Sequence, residues 1–560
     1  MIKEDFTQKI IEAIEDRVNA SSKRRWNAMN ALNMLIRERF DGFVDPTKAI
    51  LPNFTNQTFI RQMMLGTKES HYPDADVVDF FQRHPSYISN EKRYLGDRNI
   101  YSAAATNLVT NIKTHLVANF PRVLKKYLYD VSAMLKDDAV DVFYKVHGWK
   151  PRNTNVPKKE VEEKSKKIRY ILGIEDGDTI TPQWLKGNVI SILRMFVFIN
   201  RCLERKDLPL FNILPLCKIK AHCITMDSYV FFGIMKDVGL ATNIHKDLER
   251  DFWHSVFNIK SIIGRGKSFT GTIDTDGVVA NVHFQKPKLY VDDSDNETFK
   301  KKLNLEDKRV IGVDPGRTNI FHMVEQLDDG SFKEYKLTRK QYYNESGIND
   351  AIKRSIHWNI KLKSELHDLS MVSPKSTRLD KYILYRDALI KNQESLWTEY
   401  LKKHWRQQKF RLYGGKKRVF AKFLNRLGPL EKTVLAYGSA KFAPGGRGEL
   451  CVPTSRAFKE CSYRVRCILV DEFRTSKIHW RDDSILEKVQ MRKKDGGLKT
   501  VRGLLWCSST NQERGKFINR DLNAAINILR CVTLPTRPKS LKRDPNKKKI
   551  VQRVGKIINC

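Results

Sequence analysis

No Cys-x-x-Cys pair occurs anywhere in the 560 residues, although nine cysteines are present (Cys202, Cys217, Cys223, Cys451, Cys461, Cys467, Cys507, Cys531 and Cys560). An odd number without paired spacing fits neither a disulfide framework nor a zinc ribbon, so most read as small buried hydrophobes and a structural zinc ion is not expected. No apolar run reaches the roughly 18 residues that cross a bilayer, and Val189 to Ile199 is broken by Arg194, so no membrane partner is expected. Met1 to Phe6 has no signal-peptide core, which points to an intracellular protein. Repeats of solenoid period are absent too. Acidic residues are scarce: 64 Asp and Glu face 102 Lys and Arg, a formal charge of +38. Such an excess opposes compaction unless a polyanion neutralises it, and nucleic acid is the first candidate. A cationic coat kept for solubility is seldom so one-sided.

Hydrophobic residues are plentiful, at 41% of the chain with 10% aromatic, so the protein should fold, and its length suggests roughly three or four packed units. Residues 1–209 read as a mainly helical recognition lobe. Trp26, Met29, Leu32, Leu35 and Ile36 form one apolar stripe at helical spacing. Over 210–305 the period shortens towards two, with Val278, Ala280, Val282 and Phe284 alternating after the turn pair Asp276-Gly277, which gives a small β-rich domain. From 306 to 344 a buried strand, Val310 to Asp314, precedes strand-like segments near 319–326 and 332–338 joined at Asp329-Gly330, a meander. A helical insertion follows at 345–430. Buried strands resume in 431–476, at Thr433 to Tyr437 and Cys467 to Asp471. A further insertion occupies 477–515, a last helix lies in 516–535, and 536–560 form a basic tail whose Arg537 to Lys549 stretch reads as disordered. The order, a meander followed by strands alternating with helices, is that of a ribonuclease-H-like α/β domain.

Three acidic positions could carry chemistry. Asp314 ends a buried strand before Pro315-Gly316, and by itself it is an ordinary turn residue. Asp521 sits in the first turn of a helix with the core stripe Leu522, Ala525, Ile526 and Leu529, where the helix dipole alone accounts for a carboxylate. Asp471 and Glu472 leave a hydrophobic strand and point to opposite faces, so only one of them can join a shared site. Taken together they are more specific, because phosphodiester hydrolysis uses hard oxygen ligands for two magnesium ions held roughly 4 Å apart.

These segments carry a family resemblance. Gly312-Val313-Asp314-Pro315-Gly316 resembles the first RuvC motif of TnpB nucleases, and Arg520-Asp521-Leu522-Asn523-Ala524-Ala525 resembles the third. Their eukaryotic and viral relatives, the Fanzor proteins, are closer, in particular the compact branch of that family. Asp471 to Ser476, Thr433 to Phe442 and Trp405 to Tyr413 are similar to stretches typical of them. The similarity covers most of residues 265–530 and thins in the N-terminal helices, where Thr114-His115-Leu116 and Phe120-Pro121 are the suggestive positions.

The resemblance implies a multidomain α/β protein: a helical recognition lobe, a small β-barrel-like wedge domain, and a RuvC nuclease domain with helical and nucleic-acid-binding insertions. It implies RNA-guided DNA endonuclease activity with a guide (omega) RNA, target double-stranded DNA bearing a short adjacent motif, one protein per RNA, and two Mg2+ ions at Asp314, Glu472 and Asp521. In TnpB the middle glutamate lies on the strand matched here by Thr433 to Tyr437, which has no acid. Fanzor proteins relocate it, and Glu472 occupies that alternative position, with Asp471 as the fallback. The family's zinc ribbon is also altered, since Thr475-Ser476 runs into Lys477-Ile478-His479-Trp480 and Cys507 stands alone. Trp480 and Trp506 are expected to hold that insertion by packing.

Further nucleic-acid contacts are expected in the helical insertion. Lys402 to Arg426 holds ten Lys or Arg and no acid, including Lys402, Lys403, Arg406, Lys409, Arg411, Lys416, Lys417 and Arg418. The interleaved Trp405, Phe410, Tyr413, Phe420 and Phe423 read as buried anchors rather than stacking platforms. Asn107 and Asn111, with His115 and Asn119, line one helix face that could grip a duplex or simply face water. Lys539, Lys542, Arg543 and Lys547 to Lys549 resemble a nuclear import signal, so a nuclear protein is expected. The rival readings are guided binding without cleavage, an unguided RuvC-fold resolvase or transposase, and a packaging protein.

Overall fold

The computed structural model describes residues 4–66, 73–132, 134–149, 159–175, 177–240, 253, 257–262, 268–285, 308–439, 452–508, 515–543 and 552–559. The protein is a mixed helix and sheet chain of two compact units, Met1–Lys288 with Asn359–Gln407, and Leu289–Trp358 with Gln408–Cys560.

The first unit opens with helices α1 (Glu4–Phe40), α2 (Gln57–Leu65), α3 (Ala75–Arg83), α4 (Asp97–Lys126), α5 (Lys136–Val146), α6 (Lys159–Leu172), α7 (Pro182–Gly187) and α8 (Val189–Arg205). Asn56 and Asp74 cap α2 and α3 by accepting hydrogen bonds from first-turn amides. The expected stripe on α1 is buried, Trp26 to Ile36 included. β1 (Ile224–Met226), α9 (Ser228–Asp237), β2 (Ser268–Thr275) and β3 (Ala280–Gln285) follow. The hairpin stands where Asp276-Gly277 placed it: Gly277 has φ +82°, and Asp276 Oδ1 accepts from the Val278 and Val279 amides. The described strands make a three-stranded antiparallel sheet, β1-β2-β3, rather than a barrel. Ile224, Met226 and Ile273 are buried in the same core as the helices, because so small a sheet needs a neighbour to cover its apolar face.

The second unit begins with β4 (Arg309–Pro315), β5 (Asn319–Gln326) and β6 (Phe332–Thr338), an antiparallel meander turned at Gly330, φ +78°. Helices α10 (Arg339–Glu345) and α11 (Ile348–Trp358) come next. The chain then returns to the first unit for α12 (Lys363–Ser370) and α13 (Leu379–Tyr400), so the expected insertion is shared between the units. α14 (Lys403–Asn425) leads back to β7 (Thr433–Gly438), α15 (Thr454–Arg464) and β8 (Arg466–Val470). β7 lies parallel to β4 and β8 parallel to β7, giving the strand order β6-β5-β4-β7-β8.

Both faces of this sheet are covered. Leu435 and Tyr437 pack with Phe420 and Phe423 of α14 and Ala457 of α15, whereas Val434 and Ala436 pack with Ile528 and Val532 of α16 (Arg520–Thr533). That alternation explains why β4 and β7 read as unbroken apolar runs. A Cβ at Gly312 would strike the Ala525 carbonyl and Leu529, so glycine is what lets α16 press against β4.

A second sheet, β11-β10-β9-β12, contains β9 (Glu487–Arg492), β10 (Leu498–Trp506), β11 (Phe517–Asn519) and β12 (Val554–Asn559). Part of the stretch expected to be disordered is ordered, since Lys539–Leu541 forms a 3-10 turn. β12 runs parallel to β9, and Leu541 is buried beside Val470 and Ile528, since these apolar residues outweigh the basic stretch around them. Residues 544–549 of the expected disordered stretch lie outside the described residues.

Candidate metal centre and nucleic-acid surface

Because β4, β7 and β8 are parallel, their carboxyl ends open at one edge, where α/β sheets place ligands. Asp314 is the penultimate residue of β4 and is only 8% exposed. Asp521 stands in the first turn of α16, where the Asn519 side chain caps the helix and accepts from the Asp521 and Leu522 amides. Asn319, at the start of β5, donates to Asp521 Oδ2 at 3.1 Å and so fixes its rotamer. Arg520 flanks the other oxygen at 3.2 Å.

Glu472 follows β8, two residues past Val470. A Cβ at Gly438, the last residue of β7, would collide with the Glu472 carboxylate, which therefore lies over the end of that strand. Asp471 turns the other way. Its carboxylate accepts from Arg543 Nη2 at 2.8 Å, its carbonyl accepts from Arg537 at 2.6 Å, and the Arg543 guanidinium holds its carboxyl below the ordinary range.

Asp314 responds to the other two acids. Burial pushes its carboxyl well above the ordinary carboxylate range, Asp521 and then Glu472 push the same way, and Arg520 opposes them. Among the described residues, no three His, Cys, Asp or Glu side chains stand as a closed ligand group. No protein-family model and no curated protein sequence matches the chain.

Two features of this edge escaped the sequence reading. His322 pairs in register with Asp314, is fully buried, bonds Glu334 through Nε2 at 2.9 Å, and leaves Nδ1 without a partner. Burial lowers its pKa, which favours the neutral ring. The only sequence signal was the register itself. Asn523 and Asn527, one turn apart on α16, each donate to the Thr475 and Ile478 carbonyls at 2.7–3.0 Å. Asn523 Oδ1 also accepts from the Trp480 amide at 3.2 Å, and Asn527 Oδ1 from Arg530 at 2.8 Å. Both are fully buried, so they clamp the segment after Glu472 to the helix that carries Asp521.

Trp480 packs edge-on to Phe332, and Trp506 edge-on to Phe517, which anchors the 477–515 insertion through aromatic contacts. Among the expected nucleic-acid residues, Arg406 is inside the first unit and donates to the Asp276 and Leu401 carbonyls at 2.7 and 2.9 Å, so it is a structural cation. Lys402 and Lys403 are exposed but paired with Glu399 and Glu15. Lys409, Arg411, Lys417 and Arg418 are exposed and Lys416 half-buried, on the part of α14 in the second unit. Asn107 and Asn111 are exposed on α4, whereas His115 bonds the Asn212 carbonyl at 3.0 Å and Asn119 bonds back to His115. Phe420 and Phe423 are buried as expected, but Phe410 and Tyr413 are about half exposed.

Proposed function

We propose that the second unit is a RuvC-type, ribonuclease-H-like nuclease domain and that the chain is an RNA-guided DNA endonuclease of the Fanzor kind, taking a guide RNA and a double-stranded DNA target with a short adjacent motif. One observation carries the nuclease part: Asp314 is buried within the field of two further carboxylates that come from distant segments of the chain. A carboxylate cluster opposed by a single arginine favours a divalent cation, and hard oxygen donors suit magnesium. Asp314, Glu472 and Asp521 are the residues that would hold it. Bound there, a pair of magnesium ions supplies activation of a water and stabilisation of the leaving oxygen.

The chain's own residues do the rest. Asn319 orients Asp521, Gly438 leaves space for Glu472, and the two asparagines of α16 fix the spacing between the segments that carry them. The guide and the target rest on the resemblance and on the +38 charge. Asp314→Asn, Glu472→Gln and Asp521→Asn, each tested singly with guide RNA and matched DNA in magnesium, should each lose cleavage by at least about 1000-fold while retaining DNA binding. Asp471→Asn should cut normally. A dead Asp471→Asn beside an active Glu472→Gln would move the middle ligand to Asp471.

A further inference from the structure

Helices α14 and α15 share a surface that the carboxylate site does not use. On α14, Phe410, Tyr413 and Lys417 follow one another at three- and four-residue spacing and so share a face. On α15 the same holds for Arg456, Lys459 and Tyr463. The two faces meet at Tyr413, whose ring carries Lys417 Nζ at 4.7 Å and Arg456 Cζ at 5.3 Å. Phe410 is 50% exposed and Tyr463 is 72% exposed, with Lys459 Nζ at 6.0 Å from its ring.

Three exposed rings, Phe410, Tyr413 and Tyr463, lie along one cationic tract, so they form a group rather than isolated surface side chains. α14 has no acid between Lys403 and Asn425, and the acid of α15, Glu460, is buried 3.7 Å from Arg456. Lys416, beside the tract, has its pKa lowered chiefly by burial and further by the nearby Arg456. Cations in excess beside exposed rings match a polyanion that carries flat apolar groups. A duplex keeps its bases stacked inside, so rings of this kind are of use to unpaired nucleotides.

We propose that this tract binds single-stranded nucleic acid, with Phe410 and Tyr463 stacking on unpaired bases and with Lys417 and Arg456, gathered over Tyr413, taking the phosphates between them. Seven residues separate Phe410 from Lys417 and Arg456 from Tyr463, on the order of 10 Å along each helix, so the tract spans a few nucleotides. It rests on the nucleic-acid-binding part of the function proposed above and is independent of cleavage.

The test uses the full chain with Asp314→Asn, which keeps DNA intact, and measures fluorescence anisotropy at several salt concentrations. The probes are a 15-nucleotide oligo-deoxythymidine, an abasic strand of the same length and a 15-base-pair duplex. Phe410→Ala with Tyr463→Ala should weaken oligo-deoxythymidine binding by roughly 5- to 150-fold per stacked base, leave the salt slope unchanged, and leave the abasic strand and the duplex unaffected. Phe410→Leu with Tyr463→Leu keeps apolar bulk at both positions and should show the same loss. Lys417→Ala should instead lower the slope by about 0.7 on every single strand. An equal loss on all three probes, or wild-type binding that does not distinguish the abasic strand from oligo-deoxythymidine, would overturn the proposal. Failure of the nuclease reading would appear as absent cleavage and would leave these ratios in place.

Discussion

The least conspicuous residue at the carboxylate edge has the sharpest consequence. Gly438 closes β7, and the space above it holds the carboxylate of Glu472. Gly438→Ala should therefore push Glu472 aside while leaving the sheet intact, because the colliding atoms are the end of a flexible side chain. A displacement of about 1 Å in a catalytic carboxylate costs on the order of 100-fold, so cleavage should fall by that factor with an unchanged melting curve. Full activity in Gly438→Ala would remove Glu472 from the site. Gly312 makes the useful contrast: a methyl there meets the backbone of α16, which cannot swing away, and the loss would be one of stability. Asp314 and Asp521 were legible from their positions at a strand end and a helix start. The choice between Asp471 and Glu472 was narrowed by strand alternation, but the partner that occupies Asp471, Arg543, lies 72 residues on. No local pattern could have shown that pairing, and none marks Gly438.

At the scale of elements, the five strands of the β6-β5-β4-β7-β8 sheet were legible almost to the residue, because β4 and β7 are covered on both faces and Asp329-Gly330 turns β5 into β6, whereas β9, β10 and β11 were not expected. Helical periodicity tells which face of a helix is buried and not against what, so the return of α12 and α13 to the first unit was hidden. β12 was hidden for a different reason: six residues after a lysine run read as tail until β9 supplies a strand to pair with. The asparagine clamp shows the same limit, since Asn-Ala-Ala-Ile-Asn reads as an ordinary helix with two polar residues. Its energetics are testable. Each of the Thr475 and Ile478 carbonyls accepts from both Asn523 and Asn527, so removing one asparagine leaves neither carbonyl orphaned. Asn523→Leu and Asn527→Leu should each cost about 1 kcal/mol in denaturant unfolding. The double variant should cost more than their sum by roughly 1–2 kcal/mol, because two buried carbonyls then lose every donor. Simple additivity would mean that the two side chains do not act on shared acceptors.

At the scale of the whole molecule, the charge decides. Several of the cations are buried, and Arg24, Arg25, Arg37 and Arg169 give their hydrogen bonds to backbone carbonyls. A carbonyl satisfies a donor without cancelling its charge, so these bonds leave the excess of +38 in place. Self-repulsion of that size should make the protein alone salt-demanding, and a bound polyanion should relieve it. A catalytic site that touches a few phosphates is too small a source of counter-charge, whereas a structured RNA with its guide-target duplex carries enough. The guided reading therefore joins two outcomes that an unguided nuclease would separate. Protein stripped of RNA should precipitate or aggregate as salt is lowered towards physiological strength and should leave matched duplex DNA uncut in magnesium. Adding the RNA that copurifies with it should restore both solubility at low salt and cleavage, and only at sites that match the guide. The readouts are light scattering against salt and gel analysis of matched and mismatched duplexes. Cleavage of both duplexes at the same rate with and without RNA would rule out guidance. Solubility rescued equally by any polyanion of similar charge, with cleavage still confined to the guide-matched site, would show that the charge is a general property of the surface and that base pairing alone selects the target.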